Sequence, residues 1–231
     1  MAGSTEFVLF DFTDMRLADR ANILRGMGAL AEGDRFRFLK KAIVCDDMPG
    51  EKYVPHSPEL LDRAWTNAVR AAPRYGGAYW MEFEGASGAQ LAFGFDPRKL
   101  KRLNLTISRS ALTGPNGDAA AADLFEAVDS LAYALQPDYG YGLFNYDTHD
   151  AASVGEGPLA AWDINVFSAE RVQQIGREAL KTVPAWRSVE LQGGGMVLAL
   201  AANPVTGAAG SREAAQALAS VLGVTAMTLG G

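Results

Sequence analysis

The chain has 231 residues and a net charge of −6, and it lacks any apolar run near the ~18–20 residues that a helical membrane span needs. Its one cysteine, Cys45, excludes an intramolecular disulfide. Residues 116–231 hold 5 basic against 13 acidic side chains, a balance that argues against nucleic acid as a ligand of the C-terminal half.

Residues 1–115 hold 16 basic and 14 acidic side chains. Met1 to Glu6 carry neither a basic region nor a cleavable apolar segment. With the lone cysteine, this predicts a cytoplasmic protein. Membrane binding is not expected.

Glu6–Phe12 is short, apolar and rich in aromatic and β-branched residues, and predicts a strand. A helix follows from a cap at Asp14 to about Glu32, weakened by Gly26 and Gly28. Phe36–Val44 reads as a strand, and Pro49-Gly50 as a turn. Ser57-Pro58-Glu59 is a helix start: serine caps, proline suits the first turn, and glutamate favours the positive end of the dipole. Pro73 ends that helix. Ala78–Glu84 and Gln90–Asp96 then form a hairpin around Gly85-Ala86-Ser87-Gly88, and Leu103–Ser108 adds a third antiparallel strand.

Gly114-Pro115-Asn116-Gly117 breaks the chain before a helix from Asp118 to Leu135. Leu124, Val128, Leu131 and Leu135 form its buried stripe, and the acids Asp123, Glu126 and Asp129 fall largely off it. Tyr139–Tyr146 reads as a strand, Thr148–Ala160 as a loop, and Trp162–Phe167 as a strand. Ser168 caps a helix running to about Thr182. Ala185–Leu191 and Met196–Ala201 flank the glycine turn Gly193-Gly194-Gly195 as a hairpin. A last helix capped by Ser211 ends at Gly223, and Val224–Leu229 has strand composition.

The order strand, helix, strand, strand, helix, strand occurs from Trp162 onward, and again from Phe36 with one extra strand. The fold class expected is α+β, with antiparallel sheets covered by helices in the pattern of two ferredoxin-like (βαββαβ) units packed together. The units expected are an N-terminal α+β unit, 1–155, and a C-terminal βαββαβ unit, 156–231, with packing as one domain the alternative.

Between Arg109 and Arg171 there is no lysine or arginine, yet there are ten acids: Asp118, Asp123, Glu126, Asp129, Asp138, Asp147, Asp150, Glu156, Asp163 and Glu170. A one-signed run of this length predicts an acidic field that steers a basic partner. The candidate partner-binding residues are Asp138, Tyr141, Tyr146, Asp147, Asp150, Glu156 and Asp163.

Candidate chemistry is sparse. Asp147, His149 and Asp150 are the one cluster that resembles a metal or acid–base site, but the chain has two histidines and the other, His56, lies in a distant loop. The cluster reads as a solvated loop; the alternative is a small metal-dependent hydrolase built on it. Cys45 follows an apolar strand and has Asp46 and Asp47 beside it, which raise a thiol pKa, so it reads as a packed residue. The triple glycine precedes a strand and not a helix N-terminus, so it is no phosphate loop. Arg98, Lys99, Lys101 and Arg102 read as an interstrand connection. No catalytic residue, metal ligand or cofactor is expected.

The segment Trp162–Leu200 (WDINVFSAERVQQIGREALKTVPAWRSVELQGGGMVLAL) resembles a C-terminal module of bacterial immunity proteins of the polymorphic-toxin and type VI secretion kind. The likeness rests on the Trp and Asn-Val-Phe strand, the Ile-Gly-Arg-Glu turn, the Pro-Ala-Trp-Arg strand and the glycine turn before an apolar strand. Tyr139-Gly140-Tyr141-Gly142 is similar to a Tyr-Gly-Tyr feature of those families. The resemblance covers about a third of the chain. It implies a non-enzymatic protein that binds a cognate toxin, a basic one and in many cases a nuclease.

Overall fold

The computed structural model describes residues 7–13, 20–31, 35–39, 53–54, 58–71, 73, 79–96, 102–143 and 161–224. In chain order these form β1 (Phe7–Thr13), α1 (Arg20–Ala31), β2 (Phe36–Leu39), β3 (Tyr53–Val54), α2 (Pro58–Ala71), β4 (Tyr79–Gly85), β5 (Gln90–Asp96), β6 (Arg102–Ser108), α3 (Arg109–Thr113), α4 (Gly117–Leu135) and β7 (Tyr139–Leu143). There follow β8 (Ile164–Phe167), α5 (Ala169–Ile175), α6 (Arg177–Lys181), β9 (Arg187–Glu190), β10 (Met196–Ala199) and α7 (Ala208–Leu222). The class is α+β.

The strands form one antiparallel sheet in the order β3-β2-β4-β5-β6-β1-β7-β8-β10-β9. Both predicted hairpins are present: Met81 lies opposite Phe93 in the first, and Val197 opposite Val189 in the second. Leu103–Ser108 pairs as the third strand. The N-terminal strand goes to the middle of the sheet, with β6 on one side and β7 on the other. β7 pairs β8 in turn, so one sheet holds strands from both sides of the expected boundary. The C-terminal part has the order β8-β10-β9, whereas β4, β5 and β6 are a meander. The proposed last strand lies outside the described residues, apart from Val224.

Strand alternation sets two cores. On one face Met81, Phe83, Phe93, Leu105 and Ile107 pack with Ile23, Met27 and Leu30 of α1 and Leu124, Val128 and Leu131 of α4. The other face of the C-terminal strands carries Tyr139, Tyr141, Phe167, Met196 and Leu198, packed with Val172, Leu180 and Leu218 of α5, α6 and α7. Consequently β8 and β10 are buried on both sides. The N-terminal strands show on that second face Glu82, Glu84, Ala92 and Thr106, all half-buried.

Gly26 is the point of closest approach of α1 to the sheet. A Cβ there would meet Phe93 at 2.9 Å and Leu131 at 3.3 Å. The helix predicted from Ala169 to Thr182 is two helices. Gly176 divides them with φ +101°, a conformation that side chains disfavour. Ser168 caps as predicted, its Oγ accepting from the Arg171 N–H at 3.2 Å. Ser211 does not cap the last helix, which starts three residues earlier; it is buried inside that helix. Helix α3 follows β6 directly and was not foreseen.

Candidate functional site

The seven described acids of the base-free run do not form one surface. Asp123 is buried on α4, where its Oδ2 accepts from the Ser87 N–H at 2.8 Å and its Oδ1 lies 2.9 Å from Arg35. It was expected off the apolar stripe, but the β4–β5 turn covers it there. Asp129 pairs with Arg187 of β9. Burial pushes its carboxyl up to about 6, and nearby Glu126 adds to the rise; Arg187 opposes it. Asp138 pairs with Arg171 of α5, whose Nε donates at 3.0 Å. Arg171 also lies over the Tyr139 ring at 5.3 Å. The three balancing bases, Arg35, Arg171 and Arg187, come from outside the run. Asp118, Glu126 and Glu170 are exposed.

Of the predicted partner-binding residues, Asp138 keeps about 44% of its side chain exposed beside its arginine. Two others must be corrected. Tyr141 is buried: its ring stacks on Tyr139 at 5.6 Å and on Trp162 at 5.3 Å. Asp163 is buried at the entry to β8, and its Oδ2 has no hydrogen-bond partner among the described residues. Burial pushes that carboxyl up to about 7. Neither side chain can present itself to a partner. Tyr141 faces inward because β7 and β8 are covered by α5, α6 and α7. Tyr146, Asp147, Asp150 and Glu156 lie outside the described residues, as do Cys45, His56 and His149. Among the described residues no group of three or more His, Cys, Asp or Glu could hold a metal ion.

Asn165, opposite Tyr141 in the β7–β8 ladder, organises this inner layer. Its Nδ2 donates to the Trp162 carbonyl at 2.6 Å, and its Oδ1 accepts from the Trp162 N–H at 3.3 Å and the Tyr139 hydroxyl at 3.4 Å. The fully buried amide is thereby satisfied on both ends.

The Trp162–Leu200 motif has a structural reason at several conspicuous positions. Trp162 and Phe167 fill the second core. Gly176 turns the chain so that Arg177 reaches the glycine turn, donating to the Gly194 carbonyl at 2.7 Å and to Glu190 at 3.0 Å. Gly193 and Gly194 have φ +99° and +97°, which explains glycine at both. Gly195 passes close to β8: a Cβ there would lie 2.7 Å from the Phe167 carbonyl oxygen.

Sequence reasoning missed two exposed aromatics beside β9. Trp186 is 51% exposed with its ring 5.1 Å from Phe125, and Tyr133 is 56% exposed with its hydroxyl bonded to Gln192. The signal available was the position of Tyr133 off the leucine stripe of its helix.

No helix among the described residues is long and apolar enough to cross a membrane. No protein-family model matches the chain, and no curated protein matches it. Among solved structures the chain is similar to the Pseudomonas aeruginosa T6SS protein PA0821, with 14% identity and a TM-score of 0.48, over 97% of this chain and 74% of that one.

Proposed function

We propose that the chain is an immunity protein of the polymorphic-toxin or type VI secretion kind. It binds and neutralises a cognate toxin in the cytoplasm and performs no catalysis. The observation that carries this is the job of the Trp162–Leu200 motif. Apart from the exposed Trp186, most of its conspicuous residues are core, cap and turn residues, as expected of a motif that specifies a binding scaffold and not a reaction centre.

Recognition falls to the candidate partner-binding residues other than the buried Tyr141 and Asp163. Tyr146, Asp147, Asp150 and Glu156, with Asp138 at the rim, contact a basic toxin surface. Charge steering speeds the encounter, and desolvated pairs at the centre hold the complex.

The test uses a candidate cognate toxin, sought first among the products of neighbouring genes, titrated at low and high ionic strength. Association with the wild type should slow as salt rises. Reversing Asp147, Asp150 and Glu156 together to lysine should weaken binding at least about a hundredfold, since truncating one desolvated pair costs roughly 2–5 kcal/mol. Binding as tight as wild type at low salt would remove these acids from the contact. No binding by the wild type would remove the immunity assignment.

A further inference from the structure

We propose that the edge of β9 left without a strand partner among the described residues is a two-fold interface between two copies of this chain, paired antiparallel about Val189. The inference goes beyond the immunity assignment and does not depend on it.

β9 ends the sheet. It pairs β10 on one side and no strand on the other among the described residues. Such an edge leaves backbone N–H and C=O groups in position to pair with another strand. This edge is also held still from both faces. Arg187 pairs with Asp129 of α4, and Glu190 pairs with Arg177 and Lys181 of α6. A strand already ordered loses little further freedom on pairing.

The exposed aromatics supply the register. Trp186, Tyr133 and Val69 are the exposed large hydrophobics among the described residues. Two of the three flank β9, one at each end, and both lie on the α4 side. Trp186 precedes the strand and rests on Phe125, while Tyr133 bonds Gln192 just beyond it. Antiparallel pairing centred on Val189 sets Trp186 opposite Gln192 of the second copy. Each exposed Trp186 therefore meets the Tyr133 that Gln192 holds, and the two-fold covers both pairs. At the centre Val189 faces its own copy, a favourable β-branched pair. Ser188 faces Glu190 and Arg187 faces Leu191, so no like charges oppose. Centring on Ser188 instead would put Trp186 against the engaged Glu190 and leave Tyr133 uncovered.

A four-residue ladder with two aromatic pairs is small beside a standard interface of roughly 1,600 Å². The dimer should therefore dissociate within about 1 µM to about 1 mM, and sedimentation equilibrium over that range reads it. The wild type should pass reversibly from monomer to dimer. The double substitution Trp186→Ala, Tyr133→Ala should raise Kd at least about tenfold. Val69→Ala, which removes the exposed side chain on α2, should leave Kd unchanged. A second measurement fixes the register. In a Cys45→Ser background, oxidised Val189→Cys should cross-link into a covalent dimer and Ser188→Cys should not, because only residues at the axis come close enough to bridge. A wild type that stays monomeric throughout overturns the proposal, even if the edge then proves to bind a different protein. A dimer indifferent to the double substitution, or one that cross-links through position 188, overturns it as well.

Discussion

Asp123 on α4 holds the backbone N–H of Ser87, in the turn between β4 and β5, at 2.8 Å. The contact joins a helix to a hairpin tip 36 residues earlier. It also explains Gly85, where a Cβ would sit 2.3 Å from the Asp123 Oδ2. Arg35 closes the site from the solvent side. Asp123→Ala should lower stability by about 2–4 kcal/mol, because it strands a buried N–H and a guanidinium. Asp123→Asn can still accept from Ser87 and should cost only about 1 kcal/mol, given that Arg35 is partly exposed. Gly85→Ala should resemble Asp123→Ala. Urea midpoints at constant m decide; an Asn variant as damaged as the Ala variant would make the ion pair, and not the turn, the principal interaction.

Asp163 makes stability depend on pH. Its carboxyl titrates near 7 in the folded chain against an ordinary value of 3.8. Between those values the unfolded chain is ionised while the folded one still holds the proton. Unfolding then releases a proton, so stability is greatest below about pH 4, falls as pH rises towards 7 and levels off above it. Asp163→Asn cannot ionise. It should match the wild type near pH 4 and exceed it by up to about 4 kcal/mol at pH 8. Asp129, raised in the same sense, is common to both proteins and cancels in the difference. Urea unfolding of the pair at pH 5 to 8 tests this. A variant less stable than the wild type at pH 8 would mean that the ionised carboxylate has a partner.

Gly176 separates α5 from α6 at φ +101° and aims Arg177 at the glycine turn. Gly176→Ala should cost about 1–3 kcal/mol through backbone strain, since the space around it is otherwise open enough for a Cβ, with Ala179 at 3.8 Å. In a chain of this size that is a fall in Tm of about 2–4 °C per kcal/mol. An unchanged Tm would show that α5 and α6 can merge into the single helix that the residue pattern suggests.

His149→Ala separates binding from hydrolysis. Under the proposed immunity function, protection of cells against a cognate toxin should be intact in the variant, because His149 is assigned no chemistry. Loss of protection with an unchanged Tm would promote the hydrolase alternative, and a chelator should then abolish protection as well.

Patterns local to the chain were legible from residue order alone. The leucine stripe of α4, the proline start of α2, the Ser168 cap and the two glycine hairpins each depend on neighbours a few residues apart, so spacing and turn chemistry determine them. The α+β class follows from their sum. What depends on distant partners was decided only in three dimensions. Strand β1 sits between β6 and β7 through pairings that span most of a hundred residues or more, and no local signal encodes that choice. The base-free run looked like one acidic face because sequence order cannot show that Arg35, Arg171 and Arg187 fold against Asp123, Asp129 and Asp138. Tyr141 and Asp163 looked available for the same reason. The burial of Tyr141 comes from α5, α6 and α7 closing over a second face of the sheet, and a strand buried on both faces is known only when its covering helices are in place.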